Sequence, residues 1–394
     1  MKKTGIVLLA IFLLCCATAA GAAPAHININ KIPAFAEKVF FEKFFKKTER
    51  PQLEQGLYAI HDDASFEANT HIVHMRPYNN PSLEFDTHIP NTWSMDDLTK
   101  NQTLNVDQSI IGDLENARSE MVSIYRLNST VSTQHLKYEI TAKNWLKHYL
   151  LKNGYALEGD VQEDSPFLAT AYYTSISDQK SVFTYISARV SGSIAFIVRF
   201  EAPLPLKAHV AYLQKKLVDT TLMSYPSDGT VESQRIFTLA DAMKFSYPAS
   251  WSTTKPDFKD MDRLSVQLQT KNSSGSIDGY IHLYAIRRIP ATNLMKEVEE
   301  IKTHFKEYLS INLVSLVSSS AIEAPNKRFL FSRYEVYKAA YQKDGHSDPE
   351  VRLAVLGDKD WYVLIYMITP KEQDNLFTWG RNVRSLDLLL KSLR

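Results

Sequence analysis

The sequence predicts an α+β fold of two tandem repeats, each an antiparallel sheet covered by helices, with a helical N-terminal segment. Three observations carry this expectation. Phe85-Asp86-Thr87-His88-Ile89-Pro90-Asn91-Thr92-Trp93 is answered 158 positions later by Met243-Lys244-Phe245-Ser246-Tyr247-Pro248-Ala249-Ser250-Trp251. Both alternate apolar and polar residues, as strands do, and both stop at Pro-x-x-Trp. Leu146-Lys147-His148-Tyr149-Leu150 is echoed by Phe305-Lys306-Glu307-Tyr308-Leu309 at a spacing of 159. After each of these segments come a hairpin pattern and a closing amphipathic helix.

In chain order, residues 1–25 read as a secretory signal peptide. Lys2 and Lys3 form the charged end, Ile6 to Leu14 the apolar stretch, and Ala20-Gly21-Ala22 offers a small-residue cleavage site. The apolar run from Gly5 to Ala20 is shorter than the roughly 20 residues a membrane span needs. Cleavage implies a periplasmic or secreted chain. Cys15 and Cys16 raise the alternative of a lipoprotein, but Leu14 and Cys15 depart from the small residue expected before a lipidated cysteine.

Both cysteines of the 394-residue chain lie in that segment, so the mature protein is expected to hold no disulfide and no thiolate chemistry. Loss of Lys2 and Lys3 leaves 43 basic against 44 acidic residues. Such a balance argues against nucleic acid as a partner.

Residues 26–81 have no counterpart before the second repeat. Ile32 to Lys47 has helical spacing, with Phe35, Val39, Phe40, Phe41, Phe44 and Phe45 opposite Lys38, Lys43, Lys46 and Lys47. It would dock on its own domains, on a partner, or peripherally on a membrane. Further on, His61, Asp62, Asp63, His71 and His74 invite a metal hypothesis. Thr70 to Met75 reads as a strand, however, where residues three apart face opposite sides. No metal site is assigned, and surface or turn histidines are expected.

The first repeat spans 82–225. Met121 to Leu127 reads as a strand. A helix is expected over 138–152, with Ala142, Trp145, Leu146, Tyr149 and Leu150 inward, ended by Asn153-Gly154. Val182–Val190 and Ile194–Phe200 form a hairpin turning on Ser191-Gly192-Ser193. A helix over about 206–223 places Val210, Leu213, Leu217 and Leu222 inward. Residues 226–236 read as a short linker opened by Pro226-Ser227-Asp228-Gly229, so the domains are expected to touch.

The second repeat, 237–394, keeps the order. Tyr280 to Ile286 is its strand, with Tyr284 matching Tyr125. The helix over 293–309 uses Leu294, Val298, Ile301, Phe305 and Tyr308. Phe329 to Tyr341 alternates as a strand, and Val351–Leu356 with Trp361–Ile368 forms the hairpin. The last of these is apolar throughout, as in a strand covered on both faces. Pro370 matches Pro203, and a closing helix buries Val383, Leu386, Leu390 and Leu393.

Through Phe245 to Trp251, Phe85 to Trp93, the central helix, the late hairpin and the closing helix, each half resembles a PsbP-like domain, the α/β/α fold shared with DcrB-like envelope proteins. The resemblance covers 82–225 and 237–394 and leaves the N-terminal segment aside. It implies a non-enzymatic adaptor, assembly factor or subunit. A fold does not fix a function, and the motif marks strand ends, not an active site.

The residues themselves supply no catalytic constellation. Gly-x-Ser-x-Gly is absent, and Val190-Ser191-Gly192-Ser193 sits in a hairpin. Neither His-Glu-x-x-His nor a phosphate-binding glycine loop occurs. Glu299-Glu300 and Asp96-Asp97 are sequence neighbours, so they read as solvated surface rather than opposed carboxylates. Histidines 88, 135, 148, 282 and 304 share no spacing. No catalytic, cofactor-binding or metal-binding residue is therefore assigned, and no cofactor is expected. Tyr172, Tyr173, Tyr334 and Tyr337 would line an apolar cleft or form core and cross-strand pairs, and the second is expected. Trp93 and Trp251 are expected to pack at strand ends.

The functional expectation is an exported, non-enzymatic scaffold or accessory subunit of a bacterial cell-envelope assembly, such as a secretion apparatus, with envelope proteins as partners. The alternative is a periplasmic carrier for a small apolar ligand.

Overall fold

A computed structural model describes residues 60–76, 80–91, 118–122, 128–177, 180–240, 242–260, 262–321, 328–342 and 347–394. By its contacts the chain divides into Met1–Leu53 and Glu54–Arg394, and every described residue belongs to the second unit. The expected signal peptide, the helix over Ile32–Lys47, Trp93, Asp96, Asp97 and Tyr125 lie outside the described residues.

Helix α1 (Asp63–Asn69) starts where Asp62 accepts the Ser65 amide at 2.8 Å and Ser65 Oγ accepts the Asp62 amide at 3.1 Å. This reciprocal capping satisfies two of the amide donors that a helix start leaves unpaired. Strands β1 (Thr70–Met75) and β2 (Phe85–Pro90) follow, then β3 (Arg118–Val122) and β4 (Asn128–His135). Helix α2 (Ala142–Lys152) is shorter at its start than expected, because Thr141 takes the cap and accepts the Asn144 amide. It ends as Asn153-Gly154 predicts. Gly154 adopts φ +71°, its amide donates to Leu151, and the Tyr155 amide donates to Leu150 at 3.0 Å, which closes a Schellman motif.

Strands β5 (Ala156–Leu157), β6 (Gln162–Ser165), β7 (Leu168–Ser177), β8 (Lys180–Ser191) and β9 (Ile194–Pro203) come next, then helix α3 (Lys207–Thr220) and β10 (Leu222–Met223). The β8–β9 hairpin turns on Gly192-Ser193, with Ser191 opposite Ile194 and Gly192 at φ +54°. A two-residue hairpin loop needs that left-handed position, and glycine takes it without a Cβ clash. Leu222 is not inward as expected. It lies past the end of α3 in β10 and is 51% exposed, while Met223 turns in.

The second half comprises β11 (Gln234–Leu239), β12 (Met243–Pro248), β13 (Ser252–Thr253), β14 (Asp257–Asp260), β15 (Arg263–Lys271) and β16 (Ile277–Arg287). After these come α4 (Leu294–Glu307), β17 (Ile311–Ser320), β18 (Phe331–Tyr341), β19 (Pro349–Gly357), β20 (Trp361–Pro370) and α5 (Leu376–Ser392). Tyr308, expected on the inner face of α4, sits at its C-cap, 74% exposed, and stacks on His304. Both faces of β20 are buried along most of its length, as its unbroken apolar run predicts.

The fold is α+β, and every strand pairing among the described residues is antiparallel. The first large sheet runs β3-β4-β9-β8-β7-β5, with β6 paired to β7. The second runs β13-β15-β16-β20-β19-β18-β17, with β14 paired to β15. Smaller ribbons, β1-β2-β10 and β11-β12, complete the architecture.

Each large sheet buries both faces. On the first, Phe85, Ile89, Phe196, Phe200, Leu213 and Leu217 join the β1-β2 ribbon and α3 to one face. Leu146, Leu150, Ala171, Ile186 and Ile197 join α2 to the other. On the second sheet, Phe245, Trp251, Leu283, Ile365, Leu386 and Leu389 bind the β11-β12 ribbon and α5. Val298, Ile301, Phe305, Leu353 and Tyr366 bind α4 to the opposite face. Trp251 is buried, and its Nε1 donates to Ser385 Oγ at 3.0 Å. It is the packing residue that the strand-end position predicts, and truncating such a ring to alanine costs about 3–5 kcal/mol.

The halves meet where α2 lies against α5. A Cβ placed on Gly380 of α5 would come within 2.9 Å of Asn144 Cβ, so glycine permits the close approach. Lys147 of α2 pairs with Glu372 just before α5.

Candidate functional site

The residues singled out from sequence serve mainly as structure. Asp62 caps α1, and Asp63 receives Tyr212 and Lys216 from α3. His71 meets Asn91 at 3.0 Å, and His74 meets Asp86 at 2.8 Å on the other side of β1. The two rings therefore do not converge. Among the described residues no group of three or more metal-type ligands comes together. Tyr172 faces Tyr185 across the β7–β8 pair and stacks on Phe183, while Tyr173 is fully buried and stacks on Tyr155 at 4.5 Å. Tyr334 accepts from Arg352, and the buried Tyr337 donates to Glu335. All four are the cross-strand and core residues expected.

Three features remain that packing alone does not explain. The first is an edge. β17 ends the second sheet with ten residues, Ile311-Asn312-Leu313-Val314-Ser315-Leu316-Val317-Ser318-Ser319-Ser320, and none is charged. Val314 and Val317 are bulge residues that skip a partner on β18, and together with Leu316 they stand 64%, 55% and 49% exposed. Bulges blunt an edge, whereas apolar side chains without a charge leave it adhesive. The first sheet meets the same position differently, with two-residue β5 and four-residue β6, the latter carrying Glu163 and Asp164.

The second feature is a buried histidine. Tyr280, His282 and Tyr284 alternate along β16 and share one face, and Tyr366 of β20 lies opposite His282. Hydroxyls of Tyr284, Tyr366 and Tyr280 lie 2.9, 3.1 and 3.4 Å from His282 Nδ1. Nε2 is buried with no partner among the described residues. Burial, helped by nearby His304, pushes this imidazole down to about 3, so the ring is neutral at ordinary pH. The Tyr-x-His-x-Tyr spacing was a legible signal for this cluster.

The third is a cavity of about 270 Å³ between the α3-facing side of the first sheet and the C-terminal half of α3. Leu168, Phe196, Val218 and Met223 supply apolar wall; Thr170, Ser187 and Arg189 supply polar groups. Along β8 the row facing α3 reads Phe183, Tyr185, Ser187, Arg189, so it changes from aromatic to polar where the cavity opens. That change is visible in the sequence once the period-two row is written out. Lys215 and Asp219 of α3 pair with each other, and both reach the Tyr185 hydroxyl. A wider, open depression of about 410 Å³ is lined by Ile60, His61, Ala208, His209 and Tyr212.

No protein-family model and no curated protein matches this chain. Among solved structures, it is similar to cyanobacterial PsbP from Synechocystis, with 11% identity and a TM-score of 0.29 over 44% of this chain and 98% of that one. It is also similar to the immunity protein TplEi of the T6SS of Pseudomonas aeruginosa, with 8% identity and a TM-score of 0.21 over 83% of this chain and 96% of that one. At these TM-scores neither likeness carries an argument about function.

Proposed function

We propose that this protein is an exported, non-enzymatic scaffold or accessory subunit of a bacterial cell-envelope assembly, such as a secretion apparatus, working through protein–protein contacts. Within this reading the two halves are tandem PsbP-like domains. Its support is that β3-β4-β9-β8-β7 and β15-β16-β20-β19-β18 repeat one strand order, each with a ribbon and a closing helix on the same face. The observation that carries the functional reading is the uncharged edge β17, which fits an apolar strand or loop of a partner. Near-neutral charge leaves nucleic acid without an electrostatic footprint.

The test is purification of the tagged protein from mildly cross-linked envelopes, followed by mass spectrometry. A reproducible set of envelope proteins at fixed stoichiometry, lost on Leu316→Lys, supports the reading. A lone protein carrying a small-molecule mass would sink it and favour the carrier, for which the cavity beside α3 is the specific observation.

A further inference from the structure

Arginines inside this fold come with counter-charges. Arg352 faces α5 from β19 and holds Glu350 at 2.6 Å and the Tyr334 hydroxyl at 3.0 Å. Arg381 holds Asp278 at 2.7 Å, and Arg199 holds Glu201 at 3.6 Å. Arg263, Arg287, Arg328 and Arg384 likewise each have a carboxylate within reach. Arg189 breaks the pattern. It is half-buried, faces its covering helix from β8, and has no ion-pair or hydrogen-bond partner for its guanidinium among the described residues. None of its guanidinium nitrogens is among the buried unpaired atoms, so its five donors stay open to the cavity and free to meet an acceptor from outside.

We propose that the cavity between β8 and α3 binds a small organic monocarboxylate with an apolar body, its carboxylate on Arg189. The planar guanidinium fork matches a carboxylate bidentately. Thr170 and Ser187 stand beside it on the same wall to receive or donate a further hydrogen bond. Leu168, Phe196, Val218 and Met223 offer the body a dry surface. A volume of about 270 Å³ sits at the small end of ligand pockets, which bounds the occupant to a short chain or a single ring. Charge bounds it further. Lys215 is committed to Asp219, and Asp164 lies on the rim, so a second negative charge on the ligand would meet carboxylates. This inference does not rest on the scaffold reading, because the cavity belongs to the first sheet and the edge to the second.

The experiment is amide NMR or calorimetric titration of the full chain with octanoate, with octanol and inorganic phosphate as probes of body and charge alone. Octanoate is expected to bind at sub-millimolar concentration, to shift amides of β8, β9 and α3, and to exceed octanol and phosphate roughly tenfold or more. Arg189→Gln should weaken octanoate by about tenfold or more and leave octanol unchanged, with Arg189→Lys intermediate. Circular dichroism of both variants controls for folding, and octanoate against octanol on the wild type tests the charge without any variant. Equal binding of octanoate and octanol, equal binding by Arg189→Gln, or shifts confined to other elements would overturn the proposal. Phosphate binding as tight as octanoate would also overturn it, in favour of a simple anion site.

Discussion

Glu139 and Glu232 accept each other's backbone amides. The Glu232 amide donates to Glu139 Oε1 at 3.0 Å, and the Glu139 amide donates to Glu232 Oε1 at 3.1 Å. Glu232 also accepts the Ser250 amide at 2.7 Å and the Ser250 hydroxyl at 3.0 Å. Three segments are thereby joined: the approach to α2, the linker, and the turn before Trp251. Burial raises the Glu139 carboxyl above the usual range, offset in part by the amide of Glu232 and by Arg384.

This reciprocity separates two substitutions. Glu139→Ala leaves the Glu232 amide without its acceptor and should lower stability by about 1–3 kcal/mol. Glu139→Gln keeps an acceptor oxygen and removes a charge that burial disfavours, so it should cost far less at neutral pH. For an acid whose folded-state value is raised, stability is greatest where it is protonated and falls as pH rises through its titration. The difference between Gln and wild type should therefore shrink below about pH 4. Urea midpoints at two pH values check both statements.

Gly380 of α5 faces Asn144 of α2 too closely for a side chain. Gly380→Val should destabilise the fold by roughly 1–3 kcal/mol as the helices part. Gly380→Val combined with Asn144→Gly should recover part of the loss. Thermal melts of the single and double variants measure the coupling, and equal losses in both would break the close-approach argument.

His282 gives a prediction in pH. Its folded-state value is pushed down to about 3, against about 6.5 in an unfolded chain. Below 6.5 the unfolded chain takes up a proton that the folded chain refuses. Stability is thus fully present above 6.5 and declines toward pH 3, at up to about 1.4 kcal/mol per pH unit. His282→Gln, which can still accept a tyrosine hydroxyl, should flatten the slope between pH 7 and pH 5. Carboxylates act alike in both proteins, so the difference in slope is the quantity to read.

Leu316→Lys and Val317→Lys should leave the melting temperature nearly unchanged, since exposed substitutions fall within about 0.5 kcal/mol. Each should reduce self-association in concentrated solution, measured by light scattering. A large loss of stability would mean that these side chains pack in a way their exposure denies.

Much of the architecture was legible in the sequence. Period-two alternation marked β2, β12 and the late hairpins, Asn153-Gly154 marked the end of α2, and an unbroken apolar run marked β20 as doubly covered. What escaped was the polar middle of each half. In β7 the adjacent Tyr172 and Tyr173 among Ala, Thr and Ser blur the period, whereas β15 does alternate Leu264, Val266 and Leu268 with Ser265, Gln267 and Gln269, a signal that its polar content masked. Leu222 and Tyr308 were misplaced because helical spacing was continued beyond the last helical residue, onto the C-cap at Tyr308 and one residue past the Thr221 cap at Leu222. The cavity around Arg189 needed the pairing of β7, β8 and β9, which sets Leu168 and Phe196 beside it. No local pattern encodes a gap between a sheet and a helix.

The burial of β12 beneath α5 has a consequence in time. Met243 and Phe245 are made well over a hundred residues before Leu386 and Leu389, yet they belong to one layer. During synthesis, the faces of Phe245, Leu283 and Ile365 wait uncovered until the last helix is made. Long-range closure of this kind slows folding and lengthens the interval in which apolar surface is open to misassociation. A chain built this way gains from a companion that shields the second sheet until α5 has been delivered.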